Sequence, residues 1–344
     1  MRRFLTAMEW RMVSNLQLQS FIYEKKEGSA AVWRCFSNEE RAEIPEMLGG
    51  LPVTELAPYA FSEHLDEHKL RKGLCQGRLF FTQAGTEDRK EGQEALKGGK
   101  LKEIHLPDTV KKVGRYCFYN CENLEQIEFA GGKLDWGSGV FTGCHRISRL
   151  KVRQSGEGLS LREILEEVRE ELRVDFEEKG QVVLRLVFPE FYEEGVENTP
   201  ARILENHVHG SGILYRNCVG VKGVDFRRYD RLFPHARAQE PEQVLFELVL
   251  GRLKYPKELG EEGKRQYQDF LLEKWERACA YAVVSRDMEA VKILADAAGK
   301  KDRGFLEKLS HKAAAGNFPE AAGWCMNRLA GKEEGRRGRR RLEL

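Results

Sequence analysis

The sequence lacks a strong excess of charge of either sign. Its 57 Lys and Arg residues are nearly matched by 55 Asp and Glu residues, which gives a formal net charge of +2 at pH 7. A strongly basic balance would favour nucleic acid or an anionic membrane as a partner. The overall charge therefore predicts neither of these partners.

The sequence also lacks a long apolar run. No stretch approaches the roughly 18 apolar residues of a membrane-spanning helix. Near the N-terminus, Glu9 and Arg11 interrupt the apolar residues that the core of a signal peptide would need. We therefore predict no membrane insertion and expect a cytoplasmic protein.

Motifs that would indicate chemistry are scarce. The eight cysteines form no CxxC pair and no cluster with zinc-finger spacing, so we expect reduced, packed thiols. Ser138 and Ser211 each lie between glycines but not in G-x-S-x-G, and no G-x-x-x-x-G-K-[ST] loop occurs. We predict no catalytic residue and no cofactor.

What the sequence does have is a repeat. Leu124 follows Leu101 by 23 residues, and the same spacing relates a whole set of apolar and cysteine positions. The pairs are Leu101/Leu124, Ile104/Ile127, Leu106/Phe129, Val113/Trp136, Phe118/Phe141 and Cys121/Cys144. A third start follows at Ile147, and an earlier, longer copy contains Ile44-Pro45, Leu56 and Ala60-Phe61. A fixed period of this length indicates stacked structural repeats.

The segment LKEIHLPDTVKKVGRYCFYNCENL resembles the BspA-type leucine-rich repeat, and IPEMLGGLPVTELAPYAFSEHL resembles a first repeat of that family. The resemblance covers about residues 16–152. It implies a repeat fold, and it also implies display on bacterial cell surfaces and binding to matrix proteins or host cells. The cell surface is therefore the alternative location to the cytoplasm.

We predict an α+β fold, in which a short leucine-rich-repeat β-solenoid is followed by a mainly α-helical C-terminal region. One coil cannot bury its own faces, so both ends of the stack need caps. We expect an N-terminal hairpin of Leu16–Tyr23 and Ala31–Phe36. At the other end, we expect a helix from Ser160 to Gly180, with Ser160 and Glu163 as a capping box.

The remaining segments complete the predicted domain organisation. A short helix is expected to start at Thr199-Pro200 and to run towards His207, and Pro241 opens a clearer helix. After Trp275, the segments YAVVSRDMEAVKIL and HKAAAGNFPEAAGW pair at an offset of 30 and loosely resemble ankyrin-like helical hairpins. The predicted domains are an N-terminal hairpin cap at 1–36, repeats at 37–158 with an insertion or long loop at about 66–100, a capping helix at 159–180, a mixed α/β or helical linker at 181–260, helical hairpins at 261–330, and a basic, disordered tail at 331–344.

If the strands are placed correctly, their outward side chains form two columns on the sheet. The first column contains Arg41, Glu103, Gln126 and Arg149, and the second contains Glu43, His105, Glu128 and Lys151. These columns mix charges of both signs, whereas a phosphate-binding face would be rich in Lys and Arg. We therefore predict a protein partner for this face and no nucleic acid; a merely solvated face is the alternative.

The histidines His207, His209 and His235 form the best candidate metal site. Two histidines at i and i+2 point the same way only in an extended segment. Ordinary structural histidines are the alternative interpretation.

The leading functional hypothesis is a non-enzymatic protein–protein interaction scaffold that uses the repeat sheet face and the helical hairpins. One alternative is a metal-dependent enzyme or regulator centred on His207, His209 and His235. A second alternative is a surface adhesin exported by an unrecognised route. The oligomeric state does not follow from the sequence.

Overall fold

The computed structural model describes residues 19–83, 93–153, 160–198, 203–220, 223–298 and 303–342. Backbone contacts divide the chain into two compact units. The first consists of Met1–Val183 and Phe188–Asp225, and the second of Leu184–Val187 and Phe226–Leu344.

Strands dominate the first unit. In chain order, the strands of the chain are β1 (Ser20–Lys26), β2 (Ser29–Ser37), β3 (Arg41–Glu43), β4 (Met47–Leu48), β5 (Leu51–Leu56), β6 (Leu79–Gln83), β7 (Glu94–Ala95), β8 (Glu103–His105), β9 (Lys112–Val113), β10 (Gln126–Ala130), β11 (Asp135–Trp136), β12 (Arg149–Arg153), β13 (Leu172–Glu178), β14 (Gln181–Phe188), β15 (Tyr192–Asn198), β16 (Ile203–His209), β17 (Val219–Gly220) and β18 (Gly223–Val224). The helices of this unit are α1 (Glu67–Cys75), α2 (Leu161–Glu167) and α3 (Gly212–Arg216), with a 3-10 turn at Gly98–Lys100.

A parallel sheet carries the predicted repeat. Strands β3, β8, β10, β12 and β13 pair in that order and all run in the same direction. Ile104 pairs with Ile127, and Ile127 pairs with Leu150. These three side chains are at most 2% exposed, because every second residue of a strand points to the same face. The predicted pairing of Ile104 with Ile127 in neighbouring parallel strands is confirmed.

A second sheet lies along the other arm of the repeats. Its order is β11-β9-β5-β2-β1-β6, and Leu56, Val113 and Trp136 are register partners in successive parallel strands. Phe118 lies between Phe61 and Phe141, with ring centroids 5.5 and 5.8 Å away. The apolar positions that recur in the sequence therefore contact their equivalents in the next copy.

Strands β1 and β2 form a hairpin where the N-terminal one was predicted, with different bounds. β1 and β2 are antiparallel, and Lys26 pairs with Ser29 around Glu27 and Gly28. Gly28 has a φ of +71°, which glycine adopts without steric cost. The strands thus continue further into the predicted polar turn, and residues 16–18 of the predicted hairpin lie outside the described residues.

The segment predicted as an insertion or long loop at about 66–100 is structured where it is described. Asp66 caps the N-terminus of helix α1, and its carboxylate accepts hydrogen bonds from the backbone N–H groups of His68 and Lys69. β6 then pairs with β1, and β7 pairs with β2. Residues 84–92 of this segment lie outside the described residues.

The helix predicted over residues 159–180 is wrong beyond Glu167. Helix α2 ends there, and β13 pairs in parallel with β12, so that Val174 and Phe176 become partners of Leu150 and Val152. The capping box is also wrong: Ser160 has helical backbone angles, and its side chain makes no capping hydrogen bond. The carboxylate of Glu163 instead accepts from the backbone N–H of Trp136.

Helix α2 nevertheless closes the last repeat. The N–H groups of Trp136 and Phe141 donate to Glu163 (3.3 Å) and Glu167 (3.1 Å), and the Trp136 indole donates to the Ser160 carbonyl (3.1 Å). In the preceding copy, the N–H of Phe118 donates to the carbonyl of Val140 in the next copy. The carboxylates of helix α2 thus accept the hydrogen bonds that the backbone carbonyl groups of a further repeat would otherwise accept.

The helix predicted towards His207 is also wrong. Ile203–His209 is a strand that pairs antiparallel with Tyr192–Asn198 over its full length. The predicted start of this helix, Thr199-Pro200, lies outside the described residues. Cross-strand pairing therefore overrides the local helix-start signal.

Helices make up most of the second unit. They are α4 (Phe226–Arg231), α5 (Phe233–Gln239), α6 (Glu242–Lys254), α7 (Glu261–Glu273), α8 (Trp275–Val284), α9 (Met288–Ala297), α10 (Arg303–Ala315) and α11 (Pro319–Leu342). The helix predicted after Pro241 is therefore confirmed. Within the core, the guanidinium of Arg252 donates two 2.9 Å hydrogen bonds to Asp230, which also accepts from the Tyr267 hydroxyl.

The last four helices form two helix–turn–helix pairs, α8–α9 and α10–α11. At the turns, the N–H of Asp287 donates to the carbonyl of Ala282, and the N–H of Phe318 donates to the carbonyl of Ala313. These equivalent bonds are 31 residues apart, so the predicted offset of 30 is wrong by one residue. Residues 331–342 of the predicted basic tail continue helix α11.

Candidate functional site

The outward columns occupy the positions that the repeat predicts. Across the parallel sheet, Arg41, Glu103, Gln126 and Arg149 are successive register partners, and so are Glu43, His105, Glu128 and Lys151. β13 adds Arg173 to the first column and Asp175 to the second. We call this surface the sheet face. Its backbone is held by the parallel hydrogen-bond ladder, and its side chains alternate with the buried Ile104, Ile127 and Leu150.

In the second column, Glu43, His105 and Glu128 form a chain of side-chain contacts rather than a row of separate solvated groups. The Nδ1 of His105 lies 2.6 Å from Glu43, and its Nε2 lies 3.4 Å from Glu128. Glu43 is 4% exposed and His105 is 8% exposed. Charges at this depth lose water and need partners. The chain of contacts provides them and holds the side chains in one arrangement.

Arg153 extends this chain and is a residue that the sequence-based prediction missed. Its guanidinium lies 2.6 Å from Glu128 and 3.2 Å from Asp108, and it also donates to the carbonyl of Leu106. The signal was present in the sequence, because Arg153 continues the alternation of Arg149 and Lys151 along β12. Asp175 and Arg173 were missed because their strand was predicted to be a helix.

Burial and neighbouring charges have opposing effects on the pKa values of carboxyl groups on the sheet face. Burial alone would raise the pKa of Glu128, but the attraction of His105, Arg153 and Lys151 outweighs it and holds that pKa below its ordinary value. On the next strand but one, burial and the nearby Glu128 and Asp175 raise the pKa of Glu177. The sheet face therefore stabilises one carboxylate in its charged form and disfavours charge on another.

The first column is more exposed. Arg41 contacts Glu43 and lies 3.9 Å from Glu103, with the Arg41 and Glu103 side chains 37% and 43% exposed. Arg149 is exposed and Lys151 is half-buried. Among the described residues, neither Arg149 nor Lys151 has an ion-pair partner within 4.0 Å, while the other charged members of both columns do.

The candidate metal-binding histidines do not form a described site. His207 and His209 share the strand β16, and the Nε2 of His209 lies 3.2 Å from Glu194, with its ring stacked on Tyr192. His235 is on helix α5 of the second unit and is exposed. Within the part of the chain that the structure describes, no group of three His, Cys, Asp or Glu side chains is arranged to hold a metal ion.

The cysteines of the repeats are packing residues. The thiol of Cys121 donates to the carbonyl of Phe61 at 3.3 Å, and that of Cys144 donates to Phe118 at 3.0 Å. Burial raises the pKa of Cys144 to about 12 and also raises that of Cys117 and Cys121. A thiol with a raised pKa carries little thiolate at neutral pH and is a poor nucleophile.

Among the described side chains of the second unit, two large apolar ones are exposed. Val284 at the end of α8 is 84% exposed, and Met326 on α11 is 61% exposed. Isolated exposed apolar residues are ordinary on protein surfaces. No helix within the described residues has the length and apolarity that crossing a membrane requires.

Together, the parallel strands, the recurring inward residues and the stacked phenylalanines define a region of the chain that is similar to leucine-rich repeats. Residues 90–162 match the family model of the BspA type leucine rich repeat region (6 copies). This match covers 73 of the 344 residues, and the resemblance predicted for the repeat segment is thereby confirmed. Comparison with curated proteins found no match, and comparison with solved structures found none.

Proposed function

We propose that this protein is a non-enzymatic interaction scaffold that binds a protein partner on the sheet face. The observation that carries the proposal is the ion-paired chain from Glu43 through His105 and Glu128 to Arg153. Side chains that are already held by one another lose little conformational freedom when a partner docks. Leucine-rich repeats generally mediate protein interactions, and we interpret the stack as a short solenoid that presents this face.

The helical hairpins of the second unit are the second proposed contact region. Paired helices with short turns present grooves of the kind that bind protein segments. The exposed side chains of Val284 and Met326 are apolar contacts that such a partner would cover.

Site-specific photocrosslinking tests the role of the sheet face. A photoreactive amino acid replaces Gln126 or Glu103 on the sheet face, or Glu122 as a matched control on the same repeat. Glu122 is exposed but lies outside the parallel strands. We expect the same protein to be crosslinked in cells from positions 126 and 103 and not from 122. Crosslinking from 122 alone, or equally from all three positions, would contradict the proposal.

We also propose a cytoplasmic location. The support is the state of the cysteines, since all eight are free thiols and extracellular proteins commonly use such residues in disulfides. Fractionation of the native cell tests this, and recovery on the cell surface would favour the adhesin alternative.

A further inference from the structure

The charges of the sheet face are not evenly compensated. Glu43, His105, Glu128 and Arg153 pair with one another, and Arg41 pairs with Glu43 and Glu103. Arg149 and Lys151 on β12 have no ion pair within 4.0 Å among the described residues, and Arg173 lies beside them on the neighbouring strand β13. We call this group, Arg149, Lys151 and Arg173, the basic corner.

Two arginines of the basic corner face each other. Arg149 and Arg173 are register partners in adjacent parallel strands, and like charges in that position destabilise a sheet. Arg173 has Asp175 at 3.8 Å, but Arg149 has no ion pair with any described residue. An anion between the two strands would relieve this repulsion.

Lys151 is partly compensated and still accessible. Its charge attracts Glu128, whose pKa is lowered, and Glu177, whose pKa burial raises against this attraction, yet no carboxylate among the described residues lies within 4.0 Å of its ammonium group. Lys151 and Arg149 are two residues apart on one strand, so their Cα atoms are about 6.6 Å apart. Carboxylates at alternate positions of an extended peptide have the same spacing.

We propose that the basic corner is the recognition site for an acidic, extended peptide segment of the protein partner, with two Asp or Glu side chains at alternate positions. This inference rests on the proposed function of the sheet face. A peptide fits better than a nucleic acid, because strands β3, β8 and β10 of the sheet face carry the carboxylates Glu43, Glu103 and Glu128 and not the row of Lys and Arg that a continuous phosphate backbone requires. The acidic side chains engage Arg149 and Lys151 along the direction of β12.

Selection from a phage-displayed library of random dodecapeptides tests this inference on the full-length protein. We expect recovered peptides to carry Asp or Glu two residues apart. The combined change Arg149→Gln and Lys151→Gln should weaken their binding about tenfold, since each exposed charge contact contributes up to about fivefold. The matched control, Lys112→Gln with Arg115→Gln, removes two exposed charges of the first unit outside the parallel sheet and should leave affinity unchanged.

The stability of the variant provides a readout that a structural role would not give. Because Arg149→Gln removes the repulsion from Arg173, its unfolding midpoint should be equal to or higher than that of the native protein while binding is weaker. A lower midpoint that accompanies the loss of binding would overturn the inference.

Other outcomes separate the inference from the proposed function. Peptides without acidic residues whose binding is lost in Glu103→Lys would overturn the acidic-peptide inference and retain the binding role of the sheet face. Peptides that bind irrespective of every sheet-face substitution would overturn both. A single-stranded oligonucleotide that binds as tightly, with the same dependence on Arg149 and Lys151, would overturn the choice of a peptide.

Discussion

The ring of Phe118 provides the most direct test of the repeat packing. It is fully buried between the rings of Phe61 and Phe141, at 5.5 and 5.8 Å. Replacing a buried Phe with Ala generally costs about 3–5 kcal/mol, and two aromatic neighbours place Phe118 in the upper half of that range. We therefore expect Phe118→Ala to lower the local unfolding free energy by about 4 kcal/mol.

Amide hydrogen exchange followed by mass spectrometry measures this change within the repeats. A loss of about 4 kcal/mol corresponds to exchange faster by nearly three powers of ten in peptides from residues 101–152. Phe118→Leu, which retains most of the apolar volume, should lose less than half as much. Phe81→Ala, at a ring that is 39% exposed, should cost about 1 kcal/mol or less. If Phe118→Ala were no worse than Phe81→Ala, the contact between successive repeats would not be what stabilises them.

Three further predictions follow from the same contacts. Cys75 is the exposed cysteine and the other seven are buried, so one thiol per native chain should react quickly with an aromatic disulfide reagent, and Cys75→Ser should abolish that phase. The folded-state pKa of Glu128 lies below its ordinary value of 4.5, so its ionised form adds stability at neutral pH. This stability is lost as the pH falls from about 4.5 through that lower pKa. In chemical denaturation across this range, the unfolding free energy of Glu128→Gln should therefore fall less steeply with decreasing pH than that of the native protein. Glu167→Ala should cost about 1–2 kcal/mol in thermal unfolding because the N–H of Phe141 loses its acceptor, whereas the neighbouring exposed Glu166→Ala should cost less than about 0.5 kcal/mol; equal effects would remove the capping role of Glu167.

The repeat strands could be predicted because residues that recur at a fixed spacing are expected to contact one another in successive repeats. Leu101, Ile104 and their equivalents 23 residues later can all be buried only if one copy stacks on the next. That condition fixes the register, and the register fixes which residues point outwards. The positions of both outward columns therefore followed from the sequence.

The end of the stack could not be predicted in the same way. Leu161, Leu165, Val168 and Leu172 suit one face of a helix, but Leu172, Val174 and Phe176 also alternate as a strand requires. The local pattern allows both structures. The open edge of β12 decides between them, because β13 satisfies its hydrogen bonds and buries Val174 and Phe176 against the core. The Lys179-Gly180 pair, with φ of 52° and 77°, is then a hairpin turn and not the end of a helix.

The character of the sheet face depended on pairing that no local pattern reveals. Glu43 and His105 are 62 residues apart in sequence, yet they are in contact at 2.6 Å. The sequence shows only that the columns contain charges of both signs. If every charge on such a surface were paired, the surface could hardly distinguish an acidic partner from a basic one. Because Glu43, His105, Glu128 and Arg153 contact one another, they are not available to bind a partner. Breaking a buried pair would leave an uncompensated charge, and this would cost more free energy than a new exposed contact with the partner would supply. The selectivity of the sheet face must therefore come from the charges that folding leaves uncompensated, and within the described residues these are concentrated on β12.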